Sequence, residues 1–509
     1  MAPHLMNEFP TRLLMWQRVR EYAVPPSMIE TATARRAQGD WAGACAVARI
    51  DVDLDLRAVR HRHGTDFATR LRTDLRLLAP DLLRWHLPRI APDGRLRPGL
   101  TSSLARYGSD DTAAPLHLVV RTPPAWADAG QRVSLALWEG PGSGAPGHHP
   151  HPHPDRRFRL DLHRHLWDAG RSGELADRCG ADGPPVAPPP GHPRAVGAPH
   201  ASDQPIPPDR SRPLERADPR ALHESWWTTR WAAEAELLLR AEGRSRGGFT
   251  VRLGRRDHAV FELVAPDDSH APTVRPLREA LGPQDVAALP ALPDAAIRIP
   301  PDLELLRAGL VTVERLHPLV AAALGGAGST AAAARMHRPG DPHRVECRGE
   351  VHRIALRNGV LTPIDHDLAQ LRREELLVAL GGPALPCLRA IDAVHRSPEA
   401  LPAVRERLTH GDFAGALTVV EGLLGPRAVL RDGPLRDELE WAAAGRIGHG
   451  VFRAGLIAVH PAAGAAGGEN DQDERHAERG HRPRLDRRTP LVLHRKRSSR
   501  NRPRTGLAS

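Results

Sequence analysis

The 509-residue sequence predicts an α+β protein built as two mixed domains, and three observations carry that reading. Apolar residues make up 40% of the chain, enough to bury a core at this length. Helical periodicity and strict alternation occur on both sides of a stretch from Gly183 to Pro219 that holds 12 prolines. Charge is distributed unevenly: residues 1–478 carry 60 basic and 60 acidic side chains, while 479–509 carry 11 basic residues against Asp486 alone, so the whole formal charge of +10 sits in the last segment. The expected organisation is a mixed domain over 1–182, a proline-rich linker over 183–220, a second mixed domain over 221–462 ending in helices, and a disordered tail over 463–509 that is basic from Arg479.

Taken in order, Thr11 to Tyr22 has helical spacing, and Pro25-Pro26-Ser27 opens a second helix reaching Gln38. Gly39 then supplies a left-handed stop, and Asp40 caps a third helix from Trp41 to Ala48. Ile50, Val52, Leu54 and Leu56 alternate with aspartates as a half-buried strand, and helical spacing returns from Asp66 to about Leu78. Leu116–Arg121 and Arg132–Glu139 form a strand hairpin, Gly140 to Pro154 a loop, and Phe158, Leu160 and Leu162 a further strand. Beyond the linker, Ser225 to Ala241 is helical, Phe249–Leu253 and Val260–Leu263 pair as a hairpin, and Pro301 to Leu324 is mostly helical. Asn358-Gly359, the preferred pair for a type I′ turn, centres a hairpin over Glu350 to Ile364. Helices follow from Asp367 to Gly381, from Ser397 to Gly411, from Asp412 to Gly425, and from Pro434 towards Phe452.

Gly39-Asp-Trp-Ala-Gly-Ala44 and Gly411-Asp-Phe-Ala-Gly-Ala416 share one design, in which glycine ends a helix, aspartate caps the next and an aromatic plugs the gap. The form resembles the turn inside tetratricopeptide repeats. The resemblance implies helical hairpins, with Trp41 and Phe413 as candidate partner-binding aromatics for which core packing is the favoured reading. The two sites lie 372 residues apart, without the tandem period of about 34 residues that defines that family.

Seventy of the 71 basic residues are arginine, with Lys496 the single lysine, so no P-loop and no lysine nucleophile exists before the tail. On a strand from Phe158, Asp161, His163 and His165 would share one face and could ligate zinc or iron, or form a solvated polar face. His61, His63 and Asp66 depart from the metallo-β-lactamase spacing, and Asp51, Asp53 and Asp55 lack the glycine and glutamate of a calcium loop. Gly326 to Ala331 fits a phosphate-cradling fingerprint but follows a helix where the fingerprint needs a strand. Trp226, Trp227 and Trp231 read as a base-stacking platform or a helical core stripe. In the tail, Arg487, Arg488, Arg495, Lys496 and Arg497 could neutralise phosphates.

No cofactor is expected. Four widely spaced cysteines without a CxxC pair, and an N-terminus lacking a signal-peptide core, point to the cytoplasm and away from the membrane. The expected function is a non-enzymatic interaction or adaptor protein with a protein partner. The alternatives are a nucleic-acid-associated protein using its tail and a metal-dependent hydrolase.

Overall fold

The structure, a computed structural model, describes residues 11–108, 115–123, 130–140, 153–179, 228–253, 258–264, 272–277, 281–325, 344–347, 349–358, 360–396, 400–425 and 428–453. It is α+β, mixing helices with small, mostly antiparallel sheets. The proline-rich linker, the tail, the Gly326–Ala331 loop, Trp226 and Trp227 lie outside the described residues.

Three helices, Thr11–Tyr22, Pro26–Ala37 and Trp41–Val47, open the fold as the glycine and capping signals require. Gly39 has φ +75°, and the Asp40 carboxylate accepts the Gly43 N–H at 2.8 Å. Strand β1 (Ile50–Asp53) is shorter than the alternation predicts, because the Asp55 carboxylate accepts the Arg57 and Ala58 N–H groups and starts a helix at once. That helix, Leu56–Leu77, begins ten residues before the expected Asp66 and breaks at Gly64, φ +85°.

A two-stranded turn, β2 (Arg89–Ile90) with β3 (Arg95–Leu96), precedes β4 (Thr101–Tyr107), β5 (Leu116–Arg121) and β6 (Val133–Trp138). The main sheet runs β1-β6-β5-β4, with β1 parallel to β6 through Ile50↔Val133 and the remaining pairs antiparallel. Sequence reading missed β4, whose buried Thr101, Ser102 and Ser103 mask its strand character; Ser103 Oγ lies 2.8 Å from His117 Nδ1. Leu71, Leu75, Leu82 and Trp85 pack with Leu104, Leu118 and Leu135, and Leu305, Val311, Leu316 and Val320 from beyond the proline-rich stretch join the same core. Burying side chains of this kind stabilises by about 1.5–3 kcal/mol each.

The strand expected over Phe158–Leu162 does not form. Leu160–Leu162 and Arg164–Leu166 are successive 3₁₀ turns, closed by His163 N–H to Leu160 O at 3.1 Å and Leu166 N–H to His163 O at 3.0 Å. The Trp167 indole N–H donating to Leu160 O at 3.0 Å holds this chain folded back on itself. Alternation over three apolar residues was too short a signal to outweigh that anchor.

The helix Trp231–Ala241 packs Trp231, Ala235 and Leu238 against β7 (Gly247–Arg252) and β8 (His258–Val264), to which β9 (Thr273–Pro276) adds. Trp231 is therefore core. The last module sets β10 (Arg344–Cys347), β11 (Glu350–Arg357) and β12 (Val360–Pro363) against helices Pro386–Arg396, Leu401–Thr409, Phe413–Leu424 and Pro434–Arg453. Asn358 takes φ +54° at the predicted turn. Asp412 accepts the Gly415 N–H at 3.2 Å, as Asp40 does for Gly43. Asp367 makes no side-chain cap, although its helix Leu368–Ala379 forms.

Candidate functional site

Off the expected strand, the three residues singled out as metal ligands are each taken up separately. Arg159 donates to Asp161 through Nε at 2.9 Å and Nη2 at 2.7 Å. His163 Nε2 lies 3.1 Å from Glu234 Oε2, and Arg178 reaches the other oxygen of the same carboxylate at 3.1 Å. His165 is buried with its ring 5.8 Å edge-on to that of His163; burial, then the His163 and Arg178 charges, push its pKa well below the ordinary value. Asp161 borders a shallow polar depression of about 440 Å³ with Arg106, Arg159 and Arg164, where Glu242, Asp74 and Asp168 answer the arginines. Among the described residues, each of these charges has a counter-charge.

Some of the other sequence candidates also have partners. His63 Nε2 sits 2.6 Å from Glu139 Oε1, and Asp51 pairs with Arg132. Trp41 is half-buried against the first core, and Phe413 against the last, under the Arg446 guanidinium at 4.6 Å. Both aromatics fill their own helical hairpins. The tail cations lie outside the described residues.

The second Gly-Asp turn docks on the N-terminal body. Arg49 Nη1 donates to His410 O at 2.8 Å and Nη2 lies 3.4 Å from Asp412 Oδ1, while the Tyr22 ring stacks 6.4 Å from that of His410. Burial, then the Arg89 and Arg84 charges, drive the His410 pKa well below its ordinary value, so the imidazole is neutral there.

One constellation escaped the sequence altogether. Cys347 ends β10, His366 follows β12, and Cys387 stands at the second position of the helix Pro386–Arg396. All three are buried, and one donor atom from each falls within 4.8 Å of the others. Leu371 and Leu385 enclose the thiols. His366 Nε2 has no hydrogen-bond partner, and the His352 ring lies 4.1 Å from the His366 ring at 35°, its Nδ1 also buried and without a partner. Burial and the neighbouring Cys347 push the Cys387 thiol up to about 12. Compared with protein-family models, with curated proteins and with solved structures, the chain matches none. Its chemistry therefore has to be argued from these side chains.

Between His366 and Cys387 runs the helix Leu368–Ala379. Only Leu371 of that helix is buried; Leu368, Leu376, Leu377 and Val378 are exposed, as is Leu380 just beyond, with Leu376 at 65% and Leu380 at 86%. The sequence signal was available. Leu376, Leu377 and Leu380 lie on the side of the wheel opposite Leu371, a helix apolar on two faces, which an isolated surface helix does not need.

Proposed function

We propose that the chain is a protein–protein interaction or adaptor protein of the cytoplasm, engaging its partner through the exposed row Leu376, Leu377 and Leu380. The observation that carries this reading is the apolar row itself, presented on a helix flanked by two buried anchor residues, His366 and Cys387. Exposed leucines scattered singly need no explanation, but three on one turn form a patch that association would cover. Arg372, Arg373, Glu374 and Glu375 cancel in charge, so the face favours an apolar groove on another protein over a phosphate backbone or an anionic surface. No described helix is long and apolar enough to cross a membrane, and all four cysteines are free thiols, which accords with a reducing compartment.

The test is affinity purification of the full chain beside Leu376→Arg/Leu380→Arg, with nuclease, followed by binding of the recovered protein in purified form. The double variant should keep its thermal midpoint, since exposed substitutions typically move stability within about 0.5 kcal/mol, and lose the partner. A partner bound equally by both forms, or released by nuclease, would sink the proposal.

A further inference from the structure

We infer that Cys347, Cys387 and His366 bind one zinc-class divalent ion in a tetrahedral, structural site, with the neighbouring His352 moving in as the fourth ligand. Three donors already cluster within 4.8 Å. A tetrahedral zinc ion with bonds of about 2.0–2.3 Å separates its ligand atoms by about 3.3–3.8 Å, so these three donors need close by only about 1 to 1.5 Å. Thiolate with imidazole is the donor set zinc prefers, and magnesium or calcium would want oxygen.

Buried cysteines alone could be small apolar side chains. The imidazoles argue otherwise. A buried ring nitrogen without a partner is costly, and two of them, His366 Nε2 and His352 Nδ1, belong to rings whose centroids lie 4.1 Å apart, with His366 itself among the thiols. His366 is nine-tenths buried, at 9% exposure. A metal answers both orphaned nitrogens and takes the two thiols as thiolates, their protons leaving to solvent as it binds. The four ligands come from β10, β11, the segment after β12 and the start of Pro386–Arg396, so one ion would tie the edge of the sheet to the helix beside the small Leu371–Leu385 cluster. With four protein ligands no corner is open to substrate, which makes the ion structural.

The experiment is metal analysis of the full chain purified under reducing conditions with zinc, then exchange to Co²⁺. The expected result is about one equivalent retained through dialysis, with the intense visible absorption and thiolate charge-transfer band of tetrahedral cobalt. His352→Ala should weaken metal binding by about tenfold or more. Wild-type protein without stoichiometric metal, an octahedral cobalt spectrum, or a Cys347–Cys387 disulfide in the reduced preparation would each overturn the site. Unchanged affinity in His352→Ala would overturn the four-ligand assignment. The cobalt spectrum needs no variant, so a Cys387→Ala chain that fails to fold leaves the test intact, and neither readout depends on whether the leucine row binds a partner.

Discussion

The body that begins at Thr11 and the module that begins at Arg344 both mix helices with antiparallel strands, yet they bury different things. The first buries large apolar side chains together with polar and charged ones matched across long sequence distances: Arg20 with Asp302, each side chain 2% exposed, and His317 with Asp81 at 3.0 Å. The second buries a smaller apolar cluster and, beside it, two thiols and a tilted pair of imidazoles, each with one buried nitrogen lacking a partner, and it leaves a leucine row outside. The difference teaches that the first region pairs its long-range buried charges within its own chain, whereas the second gathers two thiols and two imidazoles at one place. An ion and a partner are what we propose for those groups and for the exposed leucines.

The largest expected effect tests the first region. In the first body, Arg20 donates to Asp302 at 2.7 and 2.9 Å, and the Trp85 indole N–H also lies 3.3 Å from that carboxylate. Asp302→Ala leaves a buried guanidinium without its counter-charge, a change that costs about 3–5 kcal/mol. Urea denaturation should show the midpoint falling accordingly. A loss below about 1 kcal/mol would mean that the region is held by apolar area alone and that the contrast with the C-terminal module is misdrawn.

Acid should loosen the same body next. Burial, outweighing the pull of Asp302, lowers the His86 pKa to about 4, and burial likewise lowers that of His117 to about 4. Above the ordinary value near 6.5 both rings are neutral folded or unfolded, so they contribute no pH dependence. Below it the unfolded chain takes up protons that the folded chain refuses, and stability falls until the folded pKa is reached. From about pH 7 to about pH 4.5 each histidine should remove on the order of 2 kcal/mol. Denaturation midpoints followed by tryptophan fluorescence check this, because Trp138 lies edge-on to His117 at 5.3 Å. His117→Asn should flatten the slope, and an unchanged slope would place the acid response elsewhere.

What the sequence made legible follows from how local each signal is. Both Gly-Asp turns, the Asn358-Gly359 hairpin and the first three helices are specified within a few residues and form as read. Thr101–Tyr107 was not legible, because a strand of Thr and Ser looks like a loop until both its faces are covered. The Phe158–Leu162 alternation misled for the converse reason: the Trp167 anchor that folds it lies downstream of the pattern. The cysteine cluster was invisible because Cys347 and Cys387 are brought together by a three-stranded sheet and the packing of a helix on it, and no local spacing encodes that.

The smallest effect comes from the pair of turns, where sequence is matched and only surroundings differ. Gly39 and Gly411 have φ of +75° and +80°, so alanine at either position adopts a left-handed backbone at about 1–2 kcal/mol. A Cβ at Gly39 would meet nothing within 4 Å, whereas one at Gly411 would lie 2.0 Å from the Gly130 carbonyl oxygen. That oxygen is backbone and cannot swing aside, so Gly411→Ala should cost about 1–3 kcal/mol more than Gly39→Ala through overpacking. Gly411 also follows His410, whose carbonyl holds Arg49, so relief of the clash would draw the module off the N-terminal body. Thermal midpoints of the two variants measure the difference. Equal midpoints would mean that the second turn does not rest on Gly130, and that the two regions are coupled by less than the Arg49 contacts imply.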